Sequence, residues 1–255
     1  MNLDAAIATI QSQKLRFTRV DTFDDPFEGA SPKANIDAQT TMVSSEAQMQ
    51  MMAQQVSHHF PGAIAPIQPR EDSWSRMTRI RRAKTRSAHA SCWSSDEESE
   101  LLWRIYCDDE QCKSGLGVAL HTNLERLEKS LEAHDLYISP VIYRRYHEGE
   151  GFKDELDSLM HKRTAFESER EIRLLRYDDK QFSQLKREPP SVGELDEYLY
   201  LDWPVADAIQ EIVLSPYAKQ DYEDRARSAI AAADTSLSSK VILSELNTRR
   251  NPPGY

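Results

Sequence analysis

The sequence predicts an α+β fold: a mixed, mostly antiparallel sheet core flanked by helices, with a helical, Met-rich insertion. Two observations lead there. Segments with strand alternation and segments with helical periodicity follow one another without the regular repeat of a doubly wound sheet. Hydrophobic residues are 39% of the 255 positions, enough for one sizeable core, so the length suits a single domain over 1–255 with an insertion at about 34–70.

The elements follow in order. Leu3, Ile7 and Ile10 recur at helical spacing behind Asn2, a suitable cap, and predict a helix to about Lys14. Leu15 to Val20 alternates as a half-buried strand does, and Asp24-Asp25-Pro26 turns the chain. Ala, Gln and Met crowd the stretch from about Ala34 to Val56, which suits a helix, and Pro61, Gly62, Pro66 and Pro69 make an irregular connection. Arg76, Arg79, Arg81, Arg82, Lys84 and Arg86 form the one basic run, read first as the solvated face of a helix and second as an anion contact.

Ala88 to Ser94 reads as a strand, Glu98 to Tyr106 as a helix, Gly115 to Leu120 as a strand and Leu124 to Leu131 as a helix. Leu136 to Tyr146 is expected to be a strand interrupted at Pro140, Phe152 to Arg163 a helix, and Phe166 to Tyr177 one long strand. Lys180 to Pro190 reads as a charged loop. Ile209 to Leu214, Asp221 to Ala232 and Val241 to Leu246 then close the chain as strand, helix and strand.

A net charge of −10 argues against broad electrostatic binding of nucleic acid, which needs clustered cations. Cys92, Cys107 and Cys112 are odd in number and lack metal-ligand spacing, so neither a disulfide framework nor a zinc site is expected. The histidines show no i, i+4 pair, and the eight glycines assemble no phosphate loop. No run of about 18 apolar residues occurs, so no membrane association is expected and a reducing cytoplasm suits the thiols.

An ordered set of motifs spans most of the chain: Phe23 with Asp25-Pro26-Phe27-Glu28-Gly29; Ser91-Cys92-Trp93-Ser94; Glu98-Ser99 with Trp103 and Tyr106; Lys162-Arg163; Phe166 with Glu169, Glu171 and Arg173; and Ser215-Pro216-Tyr217. In this order they resemble the bacterial family known as domain of unknown function 2971. The chain begins at its first helix, where that family usually has a short aromatic and basic strand.

Three places could carry chemistry. On a regular strand, Glu167, Glu169, Glu171 and Arg173 would share one face, with Phe166, Ile172 and Leu174 arranged to anchor it. Crowded carboxylates repel, which tends to raise a pKa unless cations offset them. The alternative is an exposed face whose acids pair with Arg163, Arg170 or Arg173. The second place is the turn at Asp25 and Glu28, which could meet a ligand or cation, or be a structural turn with Phe27 plugging the core. The third is Ser91, Trp93 and Ser94, hydroxyls and a ring suited to a nucleotide-like ligand unless Trp93 is core.

The order of a basic strand, a strand bearing serine and a strand with alternating glutamates is similar to the arrangement of ADP-ribosyltransferases. That resemblance implies transfer of ADP-ribose from NAD to a protein or nucleic-acid target, in a toxin or phage-defence setting. Arg16 or Arg19 would meet the pyrophosphate, Ser91, Trp93 and Ser94 the ribose and ring, and Glu169 or Glu171 would act in catalysis, without a metal. One alternative is a metal-dependent nuclease or phosphodiesterase in which Asp25, Glu28, Glu169 and Glu171 converge on a divalent ion and Lys162 or Arg163 faces the phosphate. The other is a non-enzymatic defence or toxin–antitoxin component that binds a partner through the 34–60 helix.

Overall fold

The computed structural model describes residues 1–37, 41, 48–49, 51–52, 73–96, 98–107, 116–148, 156–187 and 195–247. The fold is α+β. Helix α1 (Leu3–Ser12) starts where Asn2 Oδ1 accepts the Ala5 N–H at 2.8 Å, satisfying one of the first-turn donors that a helix leaves unpaired. It ends at Gln13 in the left-handed region and feeds β1 (Lys14–Arg19). Helix α2 (Ser73–Arg86) leads into β2 (Ala88–Ser94), then come α3 (Glu100–Cys107), β3 (Val118–His121) and α4 (Leu124–Ser130). The following strands are β4 (Tyr137–Pro140), β5 (Ile142–Arg144), β6 (His161–Arg163) and β7 (Glu171–Tyr177). The chain finishes with α5 (Asp179–Leu185), β8 (Tyr198–Asp202), α6 (Val205–Ala208), β9 (Glu211–Leu214), α7 (Gln220–Ala233) and β10 (Val241–Leu243).

Five strands pair antiparallel in the order β4-β7-β2-β1-β8. A second sheet runs β10-β9-β3, with β9 and β10 parallel, and β5 pairs with β6. Because side chains alternate along a strand, each face of the large sheet has its own role. Leu15, Phe17, Trp93, Ile172, Leu174, Leu199 and Leu201 face the main core, which α1, α7 and the second sheet complete with Ile10, Ile230, Ile212 and Leu214. Among them the fully enclosed Ile10, Leu174, Ile212, Leu214 and Ile230 each contribute about 1.5–3 kcal/mol by leaving water. The other face carries Ala88, Ala90, Leu175 and Tyr177 under Ala83 of α2 and Phe182 and Leu185 of α5. Farther along, that same face turns polar, and there the candidate site lies.

Three expectations need correcting. Phe166 to Tyr177 is not one strand: residues Thr164–Glu169 form a 3-10 helix, and Arg170, in the left-handed region at φ 42°, turns the chain into β7. Within the predicted helix from Phe152 to Arg163, the described part is a 3-10 turn at Asp157–Leu159 followed by β6. Most of the charged loop from Lys180 is helix α5, capped by Asp178, whose carboxylate accepts the Gln181 N–H at 2.9 Å. Strand β8 was not expected, although Tyr198-Leu199-Tyr200-Leu201 alternates as an edge strand does.

The reading of 34–70 as a helical insertion falls largely outside the described residues; 33–37, 41, 48–49 and 51–52 are helical, and Met49, Met51 and Met52 are exposed. Among the described residues no helix is long and apolar enough to cross a membrane.

Candidate functional site

Arg173 is the centre of the polar region. It stands in the middle of β7 with no exposed surface, and a buried guanidinium survives only if its donors are met. Glu28 takes Nη1 and Nη2 at 2.9 and 3.1 Å, Glu171 takes Nε at 2.6 Å, and the Leu159 carbonyl takes Nη1 at 2.6 Å. The Phe23 ring lies 5.6 Å from its charge.

The turn at 25–29 is shaped to deliver Glu28. Asp25 Oδ1 accepts the Phe27 N–H at 3.0 Å and the Asp25 carbonyl accepts the Glu28 N–H at 3.0 Å. Gly29 follows with φ 65°, a conformation in which a Cβ is strained; that Cβ would also collide with the Thr85 methyl. Arg81 on α2 donates to the carbonyls of Pro26 and Glu28, and Arg86 pairs with Asp21 at 3.2 Å. Part of the basic run therefore binds the protein's own turn rather than lying wholly in solvent. Phe27 does not plug the core. It is 40% exposed, edge-on to Tyr146 at 5.5 Å, with the Arg163 guanidinium 4.6 Å from its ring.

Lys162 is the second cation. Its ammonium meets Glu169 at 2.7 Å and Glu171 at 3.2 Å and lies 4.8 Å from the Phe166 ring. Arg163 beside it pairs with Asp25 at 2.9 Å. Glu169 and Glu171 meet here although Glu169 belongs to the 3-10 turn and only Glu171 to the strand; the left-handed Arg170 makes the bend that aims both at Lys162.

The electrostatics follow from this packing. Burial disfavours the charged form of Glu171, but Arg173 and Lys162 outweigh it and hold its carboxyl below the ordinary value. Burial likewise opposes a charged Lys162, yet Glu171 and Glu169 push its pKa well above the usual lysine range. Crowding therefore does not raise the Glu171 carboxyl, because two cations sit among the acids. Asp25, Glu28, Glu169 and Glu171 surround Arg163, Arg173 and Lys162, and among the described residues no group of three or more His, Cys, Asp or Glu side chains is arranged to hold a metal.

Beyond the network the face opens. Cys92 pairs across the sheet with Arg173, and Ser94 with Glu171. The Cys92 thiol has solvent-accessible surface, yet protein mass encloses it closely enough to weaken its hydration, so burial raises its pKa, with the neighbouring Glu171 carboxylate adding to the shift. It is a poor thiolate. Tyr143 accepts the Glu171 N–H on its hydroxyl at 2.7 Å. Tyr106, at the end of α3, is more than half exposed as a residue, but the protein packed around its hydroxyl, with the Glu169 charge adding, pushes that hydroxyl up to about 12. Glu169 spends Oε2 on Lys162, while its Oε1 makes no hydrogen bond among the described residues. An open hollow of ≈560 Å³ bounded by Tyr143, Glu167, Ser168 and Arg170 adjoins this point.

The other sequence-derived candidates divide by sheet face. Arg16 lies two residues from Thr18, which pairs with Ala90, so it shares the face of Cys92, Ser94 and Glu171. Ser91 and Trp93 point the other way; Trp93 packs edge-on against Trp203 at 5.9 Å in the main core. Arg19 is committed at the strand end to Asp21 and to the carbonyls of Leu195 and Asp196. The structure thus brings Arg16, Ser94, Glu169 and Glu171 to one side and leaves Ser91, Trp93 and Arg19 out.

No family model, curated protein or solved structure matches the chain. Most of the sequence motifs singled out above have structural work here. Phe23, Asp25, Phe27, Glu28, Lys162, Arg163, Phe166, Glu169, Glu171 and Arg173 form one connected network. Glu98, from another motif, accepts the Trp103 indole N–H at 3.1 Å and the Glu245 N–H at 2.9 Å, fastening α3 to the chain after β10. Tyr143 is not among the sequence-derived residues, since an aromatic in a short strand carries no local signature, and Tyr106 entered only through its motif with Trp103, without a site role.

Proposed function

We propose that the chain is an ADP-ribosyltransferase-like enzyme using NAD as co-substrate. The observation that carries this reading is that three neighbouring strands present a cation without an ion pair among the described residues, a hydroxyl and a glutamate on one sheet face: Arg16 on β1, Ser94 on β2 and Glu171 on β7. Glu169 is the group with an oxygen to spare, so it is the carboxylate that would take a ribose hydroxyl, while Glu171, Lys162 and Tyr143 fix its surroundings. A carboxylate beside the ribose stabilises positive charge developing there as the bond to nicotinamide lengthens. The C1′–N bond breaks, its electron pair leaves with neutral nicotinamide, and a nucleophile on the acceptor bonds to C1′ and releases its proton to solvent.

The test is transfer of label from NAD to protein or nucleic acid, with nicotinamide release measured in parallel. Glu169→Gln should cut both at least a hundredfold with an unchanged circular dichroism spectrum. Full activity in Glu169→Gln and Glu171→Gln removes the glutamate role.

One further observation favours a second reading, partner binding through the 34–60 segment: Met49, Met51 and Met52 are each about two-thirds exposed, at 65%, 68% and 67%. Exposed methionines make adaptable apolar contacts. Replacing all three by Gln should abolish co-purification of a bound partner while leaving the thermal midpoint unchanged; retention of that partner counts against this reading.

A further inference from the structure

We propose that the β8 end of the same sheet face is a stacking platform for the purine ring of a nucleotide, built from Tyr198, Tyr200 and Arg16. Tyr198 and Tyr200 alternate along the edge strand with Leu199 and Leu201, which are packed into the main core, so the two rings are fixed on the opposite, open face. They are 40% and 52% exposed, with centroids 6.5 Å apart. The Arg16 guanidinium lies 5.1 Å from the Tyr198 ring.

Arg16 has no ion pair and donates no hydrogen bond among the described residues, in a chain of net charge −10 where the other site cations, Lys162, Arg163 and Arg173, are all paired. A planar cation without an ion pair among the described residues, set over one partly exposed ring and across the strand pair from another, complements a base with a phosphate attached. The acidic chain disfavours a long polyanion, which would need many such cations. The Tyr198 hydroxyl interacts with the carboxylate of the preceding Glu197.

The platform also fits the proposed co-substrate, and this clause rests on the ADP-ribosyl reading. Arg173, Cys92, Arg16 and Tyr200 stand on four successive strands, and Glu171 lies two residues along β7 from Arg173, so the Glu171 and Tyr200 backbones are roughly 16 Å apart. A purine at Tyr200 and a ribose at Glu169 can then be joined by a pyrophosphate passing over Arg16.

Calorimetric titration of the full chain with AMP, ribose 5-phosphate and a single-stranded DNA octamer tests the platform. AMP should bind at least tenfold more tightly than ribose 5-phosphate, since stacking supplies the difference. Tyr198→Ala and Tyr200→Ala should each weaken AMP by about tenfold, Tyr200→Phe should retain it, and Arg16→Ala should weaken both phosphates. Absence of AMP binding, equal AMP affinity in the tyrosine variants, or preference for the octamer overturns the proposal. AMP binding that depends on the tyrosines, without label transfer from NAD, keeps the platform and removes the transferase. Transfer with an unchanged KM for NAD in Tyr198→Ala and Tyr200→Ala keeps the transferase and removes the platform.

Discussion

Arg173 and Glu28, 145 positions apart in the chain, form a two-pronged ion pair at 2.9 and 3.1 Å with the guanidinium wholly enclosed. The turn that bears Glu28 is thereby fastened to the middle of the sheet. Breaking such a pair from one side leaves a charge stranded in the interior, at a cost of about 3–5 kcal/mol. Glu28→Gln should lower stability by roughly that amount in urea unfolding, and Arg173→Met alone should do the same by stranding Glu28, while Glu171 keeps Lys162. In the double variant Glu28→Gln with Arg173→Met the losses should fall well short of additive. Additive losses would mean that the two side chains act independently.

The acid limb of stability should report Glu171. Its carboxyl is held below the ordinary value in the folded protein, so the stabilisation it contributes is complete above the unfolded value, about 4.3, and is lost as pH falls through the lower folded one. Lys162 has the opposite sense: its raised folded pKa gives a contribution complete below about 10.4 and lost only as pH climbs through the higher folded value. Neither group changes the urea midpoint between about pH 7 and pH 8; below about pH 6.5 burial of His89, which lowers its pKa, also costs stability, and above about pH 8.5 the raised Cys92 pKa does so. Between about pH 5 and pH 3 the midpoint should fall less steeply in Glu171→Gln than in the wild type. Matching slopes would show that Glu171 titrates alike folded and unfolded.

How much of this was legible beforehand depended on range. Alternation at Ala88 to Ser94 and periodicity at Leu3 to Ile10 are local signals, and both elements lie where the pattern put them. The stretch from Thr164 to Tyr177 misled because Glu167, Glu169 and Glu171 alternate with other residues as a strand would, while the backbone obeys a demand from elsewhere: both carboxylates must reach Lys162. Which serine shares a face with the glutamates depends on the β2–β7 register, a long-range property that assigns Ser94, not Ser91. The acidic cluster was visible as a cluster; that its cations come from β6 and β7 and compensate it was not.

That register makes the two serines distinguishable. Ser91→Ala should leave label transfer from NAD unchanged, whereas Ser94→Ala should raise the KM for NAD several-fold. Trp93→Ala should cost about 3–5 kcal/mol of stability, the usual range for deleting a large core aromatic, because its ring packs on Trp203. Trp93→Phe, which keeps most of that packing, should retain both fold and activity. Loss of activity in a stable Trp93→Phe would place Trp93 against the ligand.

Backbone conformation supplies the last prediction. Gly29 and Arg170 both lie in the left-handed region, at φ 65° and 42°, where a side chain costs about 1 kcal/mol. At Gly29 the Thr85 methyl occupies the space a Cβ would need, so Gly29→Ala combines strain with collision and should destabilise by more than 1 kcal/mol. At Arg170 the side chain is largely exposed and its pair with Asp96 is 3.3 Å long, a contact of little worth in water. Arg170→Gly should therefore gain up to about 1 kcal/mol, and Arg170→Val, β-branched in the same conformation, should lose at least as much. If Arg170→Gly is stabilised in denaturant but slows NAD turnover, the strained turn is holding Glu169 and Glu171 in their relative positions. Were Arg170→Gly destabilised, the guanidinium contact with Asp96 would outweigh the strain.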